Sequence, residues 1–135
     1  MTTEPDAYRV LVAEDTYAYR CAIIRLLEPL GLACVGVEDG VAAAALLQDQ
    51  SQAFHLAVTD FRMPRGSGWR VVEAARAYRG AAFPVIMQTA ESQYPDVYER
   101  AAELSVPLIA KADLFSLLVP AVRQALGLQP GDGRG

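Results

Sequence analysis

The stretch VTDFRMPRGSGW, Val58 to Trp69, ends an apolar run on one carboxylate, Asp60, and follows it at once with a basic loop broken by glycines. A bare turn needs an aspartate and a glycine. It does not need Met63-Pro64 and Gly66-Ser67-Gly68 in that order behind them. The run before Asp60 is continuously apolar instead of alternating, the pattern of a strand covered on both faces. Such a strand delivers Asp60 to the carboxyl edge of a sheet, and the rest of the chain decides what it faces there.

Four more runs share that pattern. YRVLVA (Tyr8 to Ala13), LACVGV (Leu32 to Val37), FPVIMQ (Phe83 to Gln88) and VPLIA (Val106 to Ala110) join HLAVT (His55 to Thr59) as predicted strands. Helical spacing fills the gaps. Ile23, Leu26, Leu27 and Leu30 recur at helical intervals before Gly31 stops them, and Asp39 is placed to cap an alanine-rich helix over Val41 to Leu47. Gly68 to Tyr78 and Asp96 to Leu104 follow, the latter with Pro95 in its first turn. Leu114, Leu117, Leu118, Ala121, Val122 and Ala125 form the stripe of a last helix, with Pro120 on the opposite face and a kink expected there. Five strand–helix alternations imply right-handed crossovers and an α/β fold: a five-stranded parallel sheet, doubly wound as (βα)5. Ligands of such folds bind beyond the carboxyl ends of the strands.

The totals agree with one domain. The chain has 135 residues, 53% hydrophobic and 21% charged, with a net charge of -4 that disfavours nucleic acid as a partner. Five arginines between Arg62 and Arg79 lack interleaved aromatics and read as a solvated helix face. Cys21 and Cys34 have no CxxC spacing and read as small core residues of a reducing, cytoplasmic compartment. The amino terminus has no signal-peptide pattern, and no apolar run nears the roughly 20 residues that span a bilayer, so no membrane role is expected. Residues 1–7 and 128–135 read as flexible ends, leaving 8–127 as the domain.

The residues just past each strand make a compact set. Glu14-Asp15 follow the first strand, Asp60 the third, Thr89 the fourth and Lys111 the fifth. Carboxylates gathered together repel unless a cation neutralises them, and a few oxygen ligands with retained waters suit Mg²⁺. A carboxylate can act as nucleophile toward a phosphoryl group, with a metal, an ammonium and a hydroxyl stabilising the charge that develops. The chain has eleven arginines and a single lysine, Lys111, whose compact charge suits a tight pocket better than a guanidinium fork.

With these residues in place the chain resembles the receiver domains of bacterial response regulators, over about residues 8 to 127. The matching elements are the acidic pair Glu14-Asp15; Asp60 with Met63-Pro64 and then Gly68; Thr89-Ala90; and Lys111. The intervals fit as well: 45 residues from Asp15 to Asp60, 29 on to Thr89 and 22 on to Lys111. The resemblance implies the flavodoxin-like strand order 2-1-3-4-5, with Asp60 as phosphoacceptor and Thr89 and Lys111 as its catalytic partners. It implies Mg²⁺ held by Glu14, Asp15, Asp60 and the carbonyl of Arg62. It also implies a histidine kinase or histidine phosphotransfer protein as donor, self-catalysed phosphorylation and hydrolysis, and output by protein–protein contact. The expected output surface is the face of the fourth helix, fifth strand and fifth helix, which can also serve a homodimer.

Three positions depart from the family's pattern. Leu108 stands where an aromatic usually precedes the lysine by three. Ala112 replaces the proline after the lysine, and a cis bond there would cost about 2.5–4 kcal/mol, so a trans bond is expected. Arg62 and Glu91 flank the path to the phosphoryl group and either pair across the mouth or remain two solvated side chains. Leu108 and Ala112 keep a second reading open, a degenerate receiver that binds partners without phosphate. Other classes lack their motifs. Phe61-Arg62 after Asp60 is not the Asp-x-Asp of haloacid-dehalogenase-type phosphatases, EDTYAYR is not a flavin phosphate loop, and no GxxxxGK occurs. His55, the only histidine, builds neither a zinc site nor a triad unaided. Trp69 is expected to pack under the third helix, and Tyr94 and Tyr98 to lie on the surface of the fourth.

Overall fold

Each apolar run becomes a strand and each gap a helix in the computed structural model, which describes residues 8–90 and 95–128. The elements are β1 (Arg9–Ala13), α1 (Tyr17–Leu27), β2 (Ala33–Val37), α2 (Gly40–Gln48), β3 (Leu56–Asp60), α3 (Gly68–Tyr78), β4 (Val85–Thr89), α4 (Pro95–Glu103), β5 (Leu108–Ala110) and α5 (Leu114–Leu126). Single 3-10 turns, Glu28–Leu30 and Lys111–Asp113, extend α1 and lead into α5. The strands pair in parallel in the order β2-β1-β3-β4-β5, as expected for the doubly wound topology.

The period of two along each strand divides the core. Val10, Val12, Leu56, Val58, Ile86 and Ile109 face Ile23 and Leu27 of α1 and Leu114, Leu118 and Val122 of α5. The alternate residues Leu11, Ala13, Ala57, Val85 and Met87 face Ala43 and Leu47 of α2, Val71 and Ala75 of α3, and Ala101 of α4. Two covered faces are why the runs are continuously apolar. Among the described residues no helix is long and apolar enough to cross a membrane.

Some expectations change. Asp60 and Thr89 belong to β3 and β4, because their backbones still sit in the ladder opposite Gln88 and Ala110. Leu117 leaves the α5 stripe and is 48% exposed. At 3.6 residues per turn it lies about 100° from the centre of the buried Leu114–Leu118–Val122 line. Pro120 is exposed within α5, on the face away from the core where it was expected. The arginine cluster is not one solvated face. Arg79 donates to the carbonyls of Leu46, Leu47 and Asp49, closing the carboxyl end of α2, where helical carbonyls have no partner of their own. Arg76 donates to the carbonyls of Phe83 and Leu104. Cys21 and Cys34 are free and only half-buried, and burial, followed by the charge of Glu28, pushes the Cys34 thiol up to about 11.

Candidate functional site

The loop between β3 and α3, residues 61–67, is built around two close backbone approaches. A Cβ on Gly68 would lie 2.6 Å from the Asp60 carbonyl and 2.9 Å from Met87 Cε, so only glycine lets α3 start directly against the end of β3. Gly66 has φ +99, a conformation natural to glycine, and its carbonyl accepts the Gly40 N–H at 3.0 Å. The Arg65 carbonyl accepts the Val41 N–H at 3.1 Å. The loop thereby fills two orphan donors at the amino end of α2. Asp39 fills a third, accepting from Ala42 N at 2.8 Å, and pairs with Arg65 at 3.0 Å. Ser67 caps α3 by accepting from Trp69 N, and Met63 is buried in the core below. The segment behind Asp60 is thus clamped from both sides.

Glu14, Asp60, Gln88 and Lys111 all stand past the ends of the apolar rows that face α1 and α5. Lys111 Nζ lies 3.0 Å from Glu14 Oε1 and 3.3 Å from Asp60 Oδ2, and 4.3 Å from the centroid of the Tyr19 ring. Two carboxylates and one aromatic face thus surround the ammonium. Glu14 and Asp60 are buried, whereas Asp15 is exposed. Burial, and then the charge of Glu14, push the Asp60 carboxyl up to about 7, against the pull of Lys111. Burial works against the charge of Lys111. The hydrogen bond to Glu14 and the negative charges of Asp60 and Glu14 outweigh it, and its pKa rises above the ordinary lysine value.

Glu14, Asp15 and Asp60 each offer a carboxylate oxygen within 4.8 Å of the others, a cluster of hard donors that can hold a divalent cation. An open cavity of about 510 Å³ adjoins it, lined by Asp15, Arg62, Met63 and Trp69 among others. A second, of about 460 Å³, lies far from the carboxylates near Pro84, Pro107 and Ala125.

Of the residues singled out in the sequence, Glu14, Asp15, Asp60 and Lys111 come together. Thr89 is buried at the end of β4, and Arg62 is exposed at the cavity margin. Glu91 and Tyr94 lie outside the described residues, as do 1–7 and 129–135 of the expected flexible ends. The Lys111–Ala112 bond is trans, there being no cis peptide among the described residues. Leu108 is half-buried against the core on the α3 side, and Tyr98 is exposed. His55 is half-buried, its Nδ1 accepting from the Arg9 N–H. Trp69 packs edge-on against Phe61 with Arg100 of α4 over its ring.

Two residues of the site escaped the sequence reading. Gln88 is wholly buried and donates to Glu14 Oε1 at 2.9 Å. Its signal was available: it is the polar residue of FPVIMQ, in register with Asp60. Tyr19 left no signal, since an aromatic near the start of α1 is equally a surface residue.

These residues form an acidic cluster with one lysine at the carboxyl edge of a doubly wound sheet. The family model of the response regulator receiver domain matches residues 10–113, and the chain belongs to that family, the receiver domains of two-component systems. It is 32% identical over 130 residues to the transcriptional regulatory protein PdtaR of Mycobacterium tuberculosis, covering 93% of this chain and 61% of that protein. It is 34% identical over 90 residues to the sensor protein GacS of Pseudomonas syringae, covering 64% of this chain and 10% of the sensor. The chain therefore spans less than two thirds of these curated relatives. Among solved structures, the response regulator TrrA of Thermotoga maritima, in complex with Mg²⁺ and BeF, superposes with a TM-score of 0.72 at 28% identity, covering 88% of this chain and 99% of that one.

Proposed function

We propose that this receiver domain, residues 8–127, is a phosphorylation-dependent switch that accepts a phosphoryl group on Asp60 from a histidine kinase or histidine phosphotransfer protein. The observation that carries the reading is the Lys111 ammonium held between Glu14 and Asp60, at 3.0 and 3.3 Å. A lysine bridging two buried carboxylates is poised to follow charge from the aspartate to an added phosphoryl group.

An Asp60 oxygen attacks phosphorus, the P–N bond of the donor phosphohistidine breaks, and the imidazole leaves with the electron pair. Lys111 then pairs with a phosphoryl oxygen, and Thr89 donates its hydroxyl to another. Glu14, Asp15, Asp60 and the Arg62 carbonyl would hold Mg²⁺, which would supply positive charge to offset that of the phosphoryl group. Water reverses the modification at the same site, so the domain catalyses its own phosphorylation and dephosphorylation. Output passes by contact with a further protein at the face of α4, β5 and α5, where Tyr98 and Leu117 are exposed. The setting is cytoplasmic, where such donors work.

Intact mass after incubation with acetyl phosphate and Mg²⁺ tests this directly. The wild type gains one phosphoryl group, and the gain is lost in Asp60→Asn and without metal. No gain with any donor would instead support the phosphate-independent binding module, the reading that Leu108 and Ala112 favour.

A further inference from the structure

Glu14 is wholly buried, and its carboxylate is held at three points. Oε1 accepts from Gln88 Nε2 at 2.9 Å and from Lys111 Nζ at 3.0 Å, and Oε2 accepts from the Thr16 N–H at 3.0 Å. Each carboxylate oxygen has two lone-pair sites. Oε1 is therefore filled, and one site remains, on Oε2. Lys111 also bonds Asp60, and Thr16 contributes only its backbone N–H, whereas Gln88 is a buried side chain whose one bond is to Glu14.

The orientation of Gln88 is determined by its partner. Glu14 Oε1 is an acceptor, so the NH₂ end must face it, and the amide cannot be turned round. That leaves Gln88 Oε1 buried with no partner among the described residues. An unpaired buried carbonyl is costly, and an apolar side chain of the same size would pack at this strand position without that cost. The chain nevertheless keeps a glutamine there, and the hydrogen bond its amide makes goes to Glu14.

We propose that Gln88 is a positioning residue for the divalent-cation site: its amide fixes the Glu14 carboxylate so that Oε2 alone is offered to the ion. This rests on the switch reading above. When Lys111 leaves Glu14 for a phosphoryl oxygen, Gln88 is the side chain that still holds Oε1 and keeps Glu14 from swinging after the ammonium. Partners that orient a metal ligand commonly matter about tenfold or more in metal affinity.

The test is binding of Mn²⁺ as a Mg²⁺ surrogate, followed by electron paramagnetic resonance on the unphosphorylated wild type, Gln88→Met and Gln88→Asn. Methionine keeps the volume and loses the donor; asparagine keeps the amide but is one methylene too short to reach. Both variants are expected to bind the ion about tenfold more weakly. Gln88→Met needs about tenfold more Mg²⁺ for its half-maximal phosphorylation rate. Unchanged or tighter binding in Gln88→Met, or a maximal rate that falls with unchanged affinity, would overturn the proposal. Should neither variant fold, the side-chain amide resonances of Gln88 in the wild type decide. They stay hydrogen-bonded on Mg²⁺ addition if the proposal holds, and move to free-amide positions if it does not. A wild type that gains no phosphoryl group would sink the switch reading and leave the affinity comparison intact.

Discussion

Lys111 Nζ stands 3.3 Å from Asp60 Oδ2, so the single lysine of the chain is bonded to the carboxylate that ends β3. The same ammonium reaches Glu14 at 3.0 Å and faces the Tyr19 ring, and no wider cation fits those three partners in the same way. Lys111→Met removes the positive charge while keeping most of the stem. Its phosphorylation rate with acetyl phosphate is expected to fall about 10²–10³-fold, the usual effect of losing one preorganised charge-stabilising group. Lys111→Arg is expected not to restore it. A time course of intact mass measures both, and a Lys111→Met rate near wild type would exclude the role given to the ammonium.

The Asp60 carboxyl, pushed up to about 7 by burial and then by Glu14, gives a signed pH dependence. An unfolded chain ionises this carboxyl near 3.9, so between about pH 4 and 7 the folded state binds the extra proton. Stability contributed by this group is therefore complete below pH 4 and is lost as pH rises through 7. Asp60→Asn removes the charge that must be buried. It is expected to be more stable than wild type at pH 8 in the absence of divalent cations, by about 1–2 kcal/mol after allowing for screening at the open mouth. The two should converge near pH 4.5. Thermal melts at both pH values in a chelating buffer measure this, and a constant difference would show that Asp60 does not titrate in the window.

The backbone contact of Gly40 with Gly66 predicts that the acceptor loop responds to a change on α2. A Cβ at Gly40 would overlap the Gly66 carbonyl oxygen, and backbone cannot yield as a flexible side chain can. Gly40→Ala is expected to cost about 1–3 kcal/mol, the range of overpacking. It should also shift the emission of Trp69, the one tryptophan, which packs against Phe61 beside Asp60. Denaturant unfolding and fluorescence of the folded state check the two effects separately. A loss of stability with unchanged emission would mean that the strain is absorbed in α2.

The strands, the helices and the four charged residues that meet at the strand ends were legible because each has a local signal, whereas the strand order came with the family resemblance. Continuous apolar runs mark strands covered twice, and in a parallel sheet the residue after each run lands at one edge. Gln88 was readable by the same rule, as a polar residue two positions past Ile86 on the face of Asp60, yet an apolar run absorbs one amide easily. Leu117 and the arginines were not readable. Whether a leucine at the margin of a helix stripe is covered depends on how far α5 is rotated against the sheet. An arginine facing solvent and one that bonds a carbonyl of another element carry the same sequence pattern. Arg76 and Arg79 find acceptors at the ends of strands and helices that lie 7 to 33 residues away along the chain.

Arg79 supplies the sharpest test of that last point. Its Nε donates to Leu47 O at 2.8 Å, and its Nη2 donates to Leu46 O at 3.1 Å and Asp49 O at 2.8 Å. The guanidinium also lies over the Phe54 ring at 5.0 to 5.5 Å together with that of Arg9. The fork holds three carbonyls that water would otherwise have to reach, and it ties α3 to the end of α2. Hydrogen bonds to a charged donor contribute about 1.5–3 kcal/mol, and the partial exposure of this group places Arg79→Ala toward the lower end of that range. Arg79→Lys is expected to recover little, because a point charge cannot serve three carbonyls in the plane of a fork. Hydrogen exchange of the α2 amides should accelerate in both variants before that of β3. If a surface arginine such as Arg70 gives the same loss when changed to alanine, the carbonyl contacts are not what makes Arg79 stabilising.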